Sequence, residues 1–189
     1  MKKNKWIIIG LIFIILSICI SGFNIYKNEQ ARNNSARALE KLKTVITNQK
    51  DTCDKSHSSL KVEEVNNKKY IGIIEMPSLD LYLPVLNEWT KANGDIAPCY
   101  YGGNISDNLI ICAHNSNAHF GKIVDLHQND EVNFIDISGN KYTYIVMDIY
   151  KINPDDIETV TSKDYDLTLF TCTYLGEKRV AVKLKMVCR

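Results

Sequence analysis

The sequence DLTLFTCTYLGEKRVAVKLKMV, residues 166–187, predicts two neighbouring β-strands near the end of the chain. Residues 166–173 and 179–187 are rich in β-branched and other apolar side chains, and only a short connection separates them. Cys172 ends the first strand and Arg179 opens the second. The pair therefore places two chemically distinctive side chains at strand ends.

The β pattern extends outward from this pair to residue 70. The clearest hairpin joins residues 131–137 to residues 141–150 through the turn Ser138-Gly139-Asn140. About eight short strands with few helices predict a mainly β fold, a closed eight-stranded β-barrel with short helices, rather than alternating strands and helices. Shorter strands are predicted at residues 70–76, 79–85 and 109–113, with a helical turn at residues 120–126.

The N-terminal segment has the pattern of a transmembrane helix. Between Lys5 and Lys27 the chain has 21 residues without a charge. As a helix they span about 30 Å, the thickness of a bilayer core. Trp6 and Tyr26 stand at the two edges, as interfacial aromatic residues do. The basic residues before the run predict a cytoplasmic N-terminus and an extracellular C-terminal domain.

Two other interpretations of this segment were weighed. A cleaved signal peptide usually has a shorter apolar region that ends in a small-residue cleavage site, and this run is long and lacks such a site. A buried core helix is disfavoured because every face of the segment is apolar. An uncleaved, single-pass membrane anchor is therefore the favoured prediction.

The segment between the anchor and the barrel is polar. Residues 27–50 are helix-prone, with Ala31, Ala38, Leu42, Val45 and Ile46 on roughly one face, and residues 51–69 have the composition of a linker. The predicted division is residues 1–26 for the cytoplasmic tip and anchor, residues 27–69 for a helical stalk and linker, and residues 70–189 for the barrel.

Three side chains are candidates for acyl-transfer chemistry: the thiol of Cys172, the imidazole of His114 and the guanidinium of Arg179. A thiolate attacks a carbonyl, an imidazole moves the proton of the leaving group, and a guanidinium stabilises charge on the carbonyl oxygen. Taken singly, each has a simpler explanation, because a strand cysteine is usually a packing residue. A lone histidine is usually structural, and a strand arginine is usually solvated.

The local sequence around these residues resembles the sortase family. Thr168-Leu169-Phe170-Thr171-Cys172, with Arg179 on the next strand, is similar to the sortase T-L-x-T-C signature. Ala113-His114-Asn115 followed by Phe120-Gly121-Lys122-Ile123 resembles the histidine region, and residues 71–77 and 83–85 resemble the first two strands. The matches occur in the family's order over residues 70–187.

This resemblance implies a sortase-type β-barrel on the outer face of a Gram-positive membrane. Such an enzyme cleaves an L-P-x-T-G-like sorting signal between Thr and Gly through a thioacyl-enzyme, and transfers the surface protein to a peptidoglycan precursor or another amine. The resemblance implies that Cys172 is the nucleophile, His114 the general acid and base, and Arg179 the oxyanion-side group. Ala113 and Thr171 would help to shape the substrate-binding groove.

Some features leave the subclass open between class A/D-like and class B-like. An Asp-Pro-aromatic lid is missing upstream, which disfavours a lidded pilin-polymerising enzyme. Residues 151–165 leave only a short connection before the cysteine strand, which disfavours a long helical insertion. Many relatives have His-Arg where this chain has His114-Asn115.

The sequence predicts no metal and no cofactor. The stretch with Cys112, His114, His119 and His127 fits no common zinc spacing. Asp155, Asp156 and Glu158 are interpreted as a solvated loop rather than a calcium site. With 23 basic and 22 acidic residues, the chain has no strong positive field, so nucleic acid is not an expected partner.

The six cysteines are scattered, and one or two disulfides are compatible with the sequence, without an assignment of partners. Cys112, two residues before His114, is either a second thiol near the groove or, as favoured here, a packing residue.

Two alternative functions remain on the residues alone. One is another extracellular cysteine peptidase or acyltransferase that acts on the cell wall. L,D-Transpeptidases place their cysteine in a Ser-x-Gly-Cys setting that is absent here, and papain-like peptidases place it at a helix start. The other is an inactive, membrane-tethered binding barrel, which the intact Cys, His and Arg set disfavours.

Overall fold

The computed structural model describes residues 2–46, 48–54, 60–173 and 176–188, and the side chains from residue 5 onward. The helices are α1 (Lys2–Val45), α2 (Lys91–Gly94) and α3 (Ile157–Thr161), with 3-10 turns at Pro77–Leu79 and Ile123–Asp125. The strands are β1 (Lys50–Asp51), β2 (Glu63–Val65), β3 (Lys68–Met76), β4 (Leu81–Leu86), β5 (Cys99–Asn104), β6 (Asp107–Cys112), β7 (Glu131–Asp136), β8 (Asn140–Ile152), β9 (Leu167–Cys172) and β10 (Arg179–Met186).

Eight of these strands close into a ring. The order is β3-β4-β5-β6-β9-β10-β8-β7, and β7 pairs with β3 to complete it. The β4–β5 and β6–β9 contacts are parallel, and the others in the ring are antiparallel. Strands β1 and β2 lie outside the ring, on β8 and β3. The predicted eight-stranded β-barrel is therefore confirmed.

Alternation along the strands separates the barrel interior from its outer face. In β9, Leu167 and Leu169 belong to the central core, which is filled by fully buried aromatic rings such as Phe134 and Tyr144. Residues 168, 170 and 172 must therefore point outward. The same alternation places residues 109, 111 and 113 of the β6 segment, and residues 180, 182 and 184 of β10, inside.

Helix α1 combines an apolar first half with a second half that packs on the barrel. Its first half is strongly apolar and unburied, which makes α1 the one described helix long and apolar enough to cross a membrane. Further on, Ser35, Ala38 and Leu42 are buried against the barrel. Val45 is 42% exposed, so its predicted place on this face is wrong. Val45 lies three residues after Leu42, at the edge of the buried stripe of the helix, and the stripe itself continues at residue 46.

Two local predictions differ from the structure. Residues 51–69, predicted as a linker, include β2 and the start of β3, although residues 55–59 lie outside the described residues. The β2–β3 hairpin turns at Asn66 and Asn67, which have φ of 53° and 58°, because asparagine tolerates the left-handed region of this turn type. Strand β5 was missed because glycines interrupt it and its pairing with β6 shifts register there.

The structure assigns one disulfide that the sequence had left open. Cys53 and Cys188 are bonded, with their Cα atoms 5.6 Å apart. The bond ties the segment after β1 to the end of β10. Cys19, Cys99, Cys112 and Cys172 are free.

Candidate active site

Strands β9 and β10 bring Cys172 and Arg179 together. The two residues are direct partners in the antiparallel pairing, Cys172 at the end of β9 and Arg179 at the start of β10. Directly opposed residues of an antiparallel pair project from the same face of the sheet. Since residues 169 and 180 point into the core, both side chains leave on the outer face of the barrel.

His114 reaches the same face through the parallel β6–β9 pair. Cys112 is paired with Phe170, and the Ala113 amide donates to the Phe170 carbonyl at 3.2 Å. The register carries His114 to the level of Cys172, and alternation turns its side chain outward. The structure thus places all three predicted catalytic residues on one face at one end of the barrel.

A hydrogen bond between Thr171 and Ala113 links β9 to the segment that follows β6. The Thr171 hydroxyl donates to the Ala113 carbonyl at 2.8 Å, and each residue is 4% exposed. Both belong to the inward-facing positions of their strands. This contact fixes the spacing between the His114 and Cys172 segments, while the groove-shaping role of the two residues stays a prediction.

Cys172 and His114 both line a cleft of about 840 Å³. One wall is α1, just after its apolar half, and the opposite wall is the barrel end. The size is in the range of ligand-binding clefts. The described residues that line it are Asn24, Lys27, Asn28, Gln30, Ala31, Asn34, Asp95, Ile96, His114, Asn115, Ser116, His119, Cys172, Thr173 and Gly176.

The segment around α2 packs against the imidazole of His114. The Trp89 ring contacts it edge-on, with 5.2 Å between ring centroids, and Asp95 Oδ1 lies 3.4 Å from His114 Nε2. That distance is an ion-pair distance for a protonated imidazole, and Nε2 has no hydrogen-bond partner among the described residues. The absence of a side chain at Gly94 leaves room for this contact, because a Cβ there would lie 2.5 Å from the Trp89 ring and 3.2 Å from His114 Nε2.

Arg179 lies on β10, on the opposite side of β9 from the β6 segment that leads to His114. Its Nη1 donates to the carbonyls of Gly176 and Lys178 at 3.2 and 3.3 Å. Arg179 also borders a second, largely apolar groove, in which Tyr101 and Phe170 stack edge-on at 5.1 Å. Cys172 lines the polar cleft, and Phe170 on the same strand lines the apolar groove.

Cys112 lies in a different environment from Cys172. It is 4% exposed and packs with its cross-strand partner Cys99 in the small core beneath α1. Burial raises the pKa of the Cys112 thiol far above its ordinary value, and burial raises the pKa of Cys99 to about 12. Both thiols stay protonated at neutral pH, whereas Cys172 is partly exposed in the cleft. The structure supports the interpretation of Cys112 as a packing residue.

His119 and Ser116 are cleft residues that the sequence did not single out for function. His119 is 1% exposed, and its Nε2 donates to the Ile96 carbonyl at 3.1 Å. Burial lowers the pKa of His119, so its ring is neutral at pH 7. The sequence around His119 contains no recognisable motif, because this part of the cleft forms only when residues 114–121 fold back on themselves. No group of three metal-binding side chains occurs in the described part of the chain.

Comparison with known proteins identifies the family. The sortase-domain model matches residues 74–187, more than half of the chain. The sortase A of Bacillus anthracis is 26% identical over 191 residues, which cover 90% of this chain and 88% of that protein. The chain therefore belongs to the sortase family, and sortase transpeptidase is its functional class.

Solved sortases share the fold. A sortase C of Streptococcus pneumoniae superposes with a TM-score of 0.58 at 19% identity, over 87% of this chain and 90% of that one. The sortase D5 transpeptidase of Clostridium perfringens gives a TM-score of 0.57 at 21% identity, over 63% of this chain and 79% of that one.

Proposed function

We propose that this sortase is a cysteine transpeptidase that cleaves an L-P-x-T-G-like sorting signal and transfers the surface protein to a cell-wall amine. The observation that carries the proposal is the placement of Cys172, His114 and Arg179 on one outer face at one end of the barrel. Thiol, imidazole and guanidinium are the groups that acyl transfer from a peptide to an amine requires.

In the first half-reaction the Cys172 thiolate attacks the carbonyl carbon of the threonine in the sorting signal. The carbonyl oxygen becomes an oxyanion, and the guanidinium of Arg179 turns from the loop carbonyls to stabilise it. The C–N bond then breaks, and His114 gives its proton to the leaving amine. The product is a thioester on Cys172 together with a free amino-terminal glycine fragment.

In the second half-reaction an amine attacks the thioester. His114, now neutral, takes the proton that the attacking nitrogen loses, and the Cys172 thiolate leaves. A new amide bond joins the surface protein to the acceptor. The energy of the original peptide bond is retained in the thioester, so the transfer needs no cofactor.

The apolar groove beside Arg179 suits the apolar first residues of the sorting signal. Tyr101, Ile152 and Phe170 supply apolar and aromatic surface there, and α3 forms its outer edge. A signal bound in this groove extends along β9 to Cys172. In this arrangement, Ala113 and Thr171 hold the floor of the site rather than touch the apolar residues of the signal.

We place the catalytic barrel outside the cell, with the N-terminus in the cytoplasm and α1 as a single-pass anchor. The lysines before the apolar half of α1 support this orientation. The Cys53–Cys188 disulfide supports it independently, because disulfides persist in extracytoplasmic compartments. Protease added to intact protoplasts is expected to digest the barrel, and protection of the barrel would contradict the topology.

The experiment that tests the activity uses the full chain in detergent micelles with an L-P-x-T-G peptide library and an added primary amine. Wild type is expected to form the amide between the peptide's threonine and the amine. His114→Ala is expected to lose about 10²–10⁴-fold of this rate, the usual contribution of general acid–base catalysis. Cleavage without transfer to any amine would point instead to a cell-wall peptidase, and no reaction at all to an inactive binding barrel.

A further inference from the structure

The cleft between α1 and His114 contains polar atoms that no described residue satisfies. His119 Nδ1, Ser116 Oγ and Asn28 Oδ1 are buried and lack hydrogen-bond partners among the described residues, and all three side chains line this cleft. Unsatisfied buried polar groups are rare and costly in folded proteins. With His114 Nε2, which also lacks a partner, four such atoms belong to residues that line one cleft, and they indicate a ligand that supplies their partners.

The chemical character of these atoms restricts the ligand. The ring of His119 is neutral, and Nε2 carries its proton because it donates to the Ile96 carbonyl. Nδ1 must therefore be an acceptor. The Asn28 carboxamide oxygen is buried without a partner, and the Asp95 carboxylate adds a negative charge at the rim of the cleft. The surroundings are thus acceptor-rich, which suits a ligand with several N–H donors or an ammonium group.

The one cationic side chain of α1 in this wall does not oppose such a ligand. Lys27 lines the cleft, but its Nζ lies 5.4 Å from the centre of the Phe23 ring, one turn nearer the apolar half of the helix. Its charge is therefore directed towards the membrane end of α1.

The position of His114 indicates which substrate binds in this cleft. His114 faces this cleft, and it must protonate the leaving amine and deprotonate the incoming one. Since the incoming amine attacks the thioester from the position that the leaving amine has vacated, both occupy the His114 side of Cys172. The acyl part of the sorting signal occupies the apolar groove on the Arg179 side.

We infer that this cleft is the binding site for the amine acceptor, and that His119 Nδ1 and the Asn28 carboxamide on α1 accept its N–H groups. The inference rests on the proposed transpeptidase function and adds a location and a specificity determinant. It makes the helix that leaves the membrane one wall of the catalytic site. His119 is an acceptor-binding residue in this arrangement, because its Nδ1 contacts the amine substrate directly.

The test separates the two half-reactions of the full-length protein in micelles. Three rates are measured with one L-P-x-T-G peptide: hydrolysis without amine, transfer to hydroxylamine, and transfer to titrated triglycine or diaminopimelate. Hydroxylamine is small enough to reach a thioester without a subsite. For Asn28→Ala we expect the KM for the larger amine to rise about tenfold more than the KM for hydroxylamine, as loss of one hydrogen bond to a buried group costs.

Asn33→Ala is the matched control, because Asn33 is exposed on the same helix and does not line the cleft. Its KM for the amine is expected to equal that of wild type. Equal KM values in Asn28→Ala and wild type, or a parallel loss of all three rates, would overturn the inference. So would a wild-type enzyme that shows no saturable use of either larger amine.

Two substitutions of His119 separate the acceptor role from a structural one. His119→Gln keeps a donor near the Nε2 position for the Ile96 carbonyl but removes the Nδ1 acceptor. His119→Asn keeps an acceptor near the Nδ1 position but loses the bond to Ile96. We expect the glutamine variant to have the higher KM for the amine and the asparagine variant to have the lower melting temperature. If one variant has both the higher KM and the lower melting temperature, the role of His119 is structural. Failure of wild type to form any thioester would instead refute the proposed function itself.

Discussion

Cys172 and Arg179 stand directly opposite each other at the open end of the β9–β10 pair, yet the guanidinium of Arg179 is bonded to carbonyls of the connecting loop. The arginine is therefore beside the thiol but held by its own loop. In the proposed mechanism, a turn of the side chain exchanges these carbonyls for the substrate oxyanion.

The first prediction concerns Arg179→Lys. An ammonium lacks the planar fork of the guanidinium, so charge alone does not restore its function. We expect turnover to fall by about 10²–10³, the usual cost of losing an oxyanion donor. The melting temperature should change little, because Arg179 is only partly buried and its bonds are to loop carbonyls.

Arg37→Ala provides the control for this prediction. Arg37 is an exposed arginine of α1 and does not line the catalytic cleft. The C-terminal Arg189, which the sequence suggests as tolerant of alanine, lies outside the described residues. Normal turnover in Arg179→Lys, or an equal loss in Arg37→Ala, would remove the oxyanion role from Arg179.

The second prediction concerns Gly94→Ala. The added Cβ would overlap the Trp89 ring and lie 3.2 Å from His114 Nε2, so the ring that packs against the imidazole must shift, and the imidazole is expected to move with it. Misplacing a catalytic group by a fraction of an ångström to an ångström costs roughly 10–100-fold in rate. The measurement is kcat for transfer together with circular dichroism. Gly102→Ala is the matched control, since a Cβ there meets nothing within 4 Å. Unchanged kcat in Gly94→Ala would show that the Trp89 contact does not orient His114.

The third prediction concerns the disulfide. Cys53 and Cys188 are 135 residues apart in sequence, so the bond removes a long loop from the unfolded ensemble. Such a constraint is worth about 4–5 kcal/mol in the chain-entropy account. The Cys53→Ser/Cys188→Ser protein should melt about 10 °C or more below wild type in the barrel transition. Reductant should lower the melting temperature of wild type and leave the double variant unchanged. A reductant effect of equal size in both proteins would assign the stabilisation elsewhere.

The fourth prediction concerns Lys183, which is 1% exposed and donates to Val160 and Thr168. Burial lowers the pKa of Lys183 from 10.5 to about 8. Between these values the unfolded chain binds more protons than the folded one, so this group makes the free energy of unfolding rise with pH. The expected gain is about 1 kcal/mol between pH 8 and pH 9.

Lys183→Met isolates that contribution. Cys99 and Cys112 act in the opposite direction above pH 9, because burial raises the pKa of each thiol. The quantity to measure is therefore the difference between wild type and Lys183→Met in urea-unfolding free energy at each pH. A difference that is constant from pH 8 to pH 9 would contradict the lowered pKa of Lys183.

Much of the fold follows from local patterns in the sequence. The β9–β10 pair and the β7–β8 hairpin were predicted because alternating apolar residues and turn residues carry their own register. Strand β5 was missed because its glycines weaken the local signal, and its place in the ring depends on β6. The disulfide partners were not predictable, because 135 residues separate them and only the closed barrel brings their ends together.

The candidate catalytic residues were identified for a different reason. The motifs around Cys172, His114 and Arg179 resemble a family signature, whereas the spacing of these residues is uninformative by itself. The side chains that pack around His114 belong to no such motif. Trp89, Asp95 and His119 approach it through loops, and the α1 wall approaches it through the packing of Ala38 and Leu42 far along the helix. These contacts depend on tertiary structure, so local sequence could not reveal them.

The proposed mechanism requires that Cys172 carries the acyl group. The most direct measurement is mass spectrometry of the full-length protein after brief incubation with an L-P-x-T-G peptide in the absence of amine. We predict a mass increase equal to the acyl fragment up to threonine, located by proteolysis on the peptide that contains Cys172 and removed by hydroxylamine. Cys172→Ala should show no such adduct and should keep its fold. An adduct on Cys112 or on any other residue, or peptide cleavage retained in Cys172→Ala, would contradict the account.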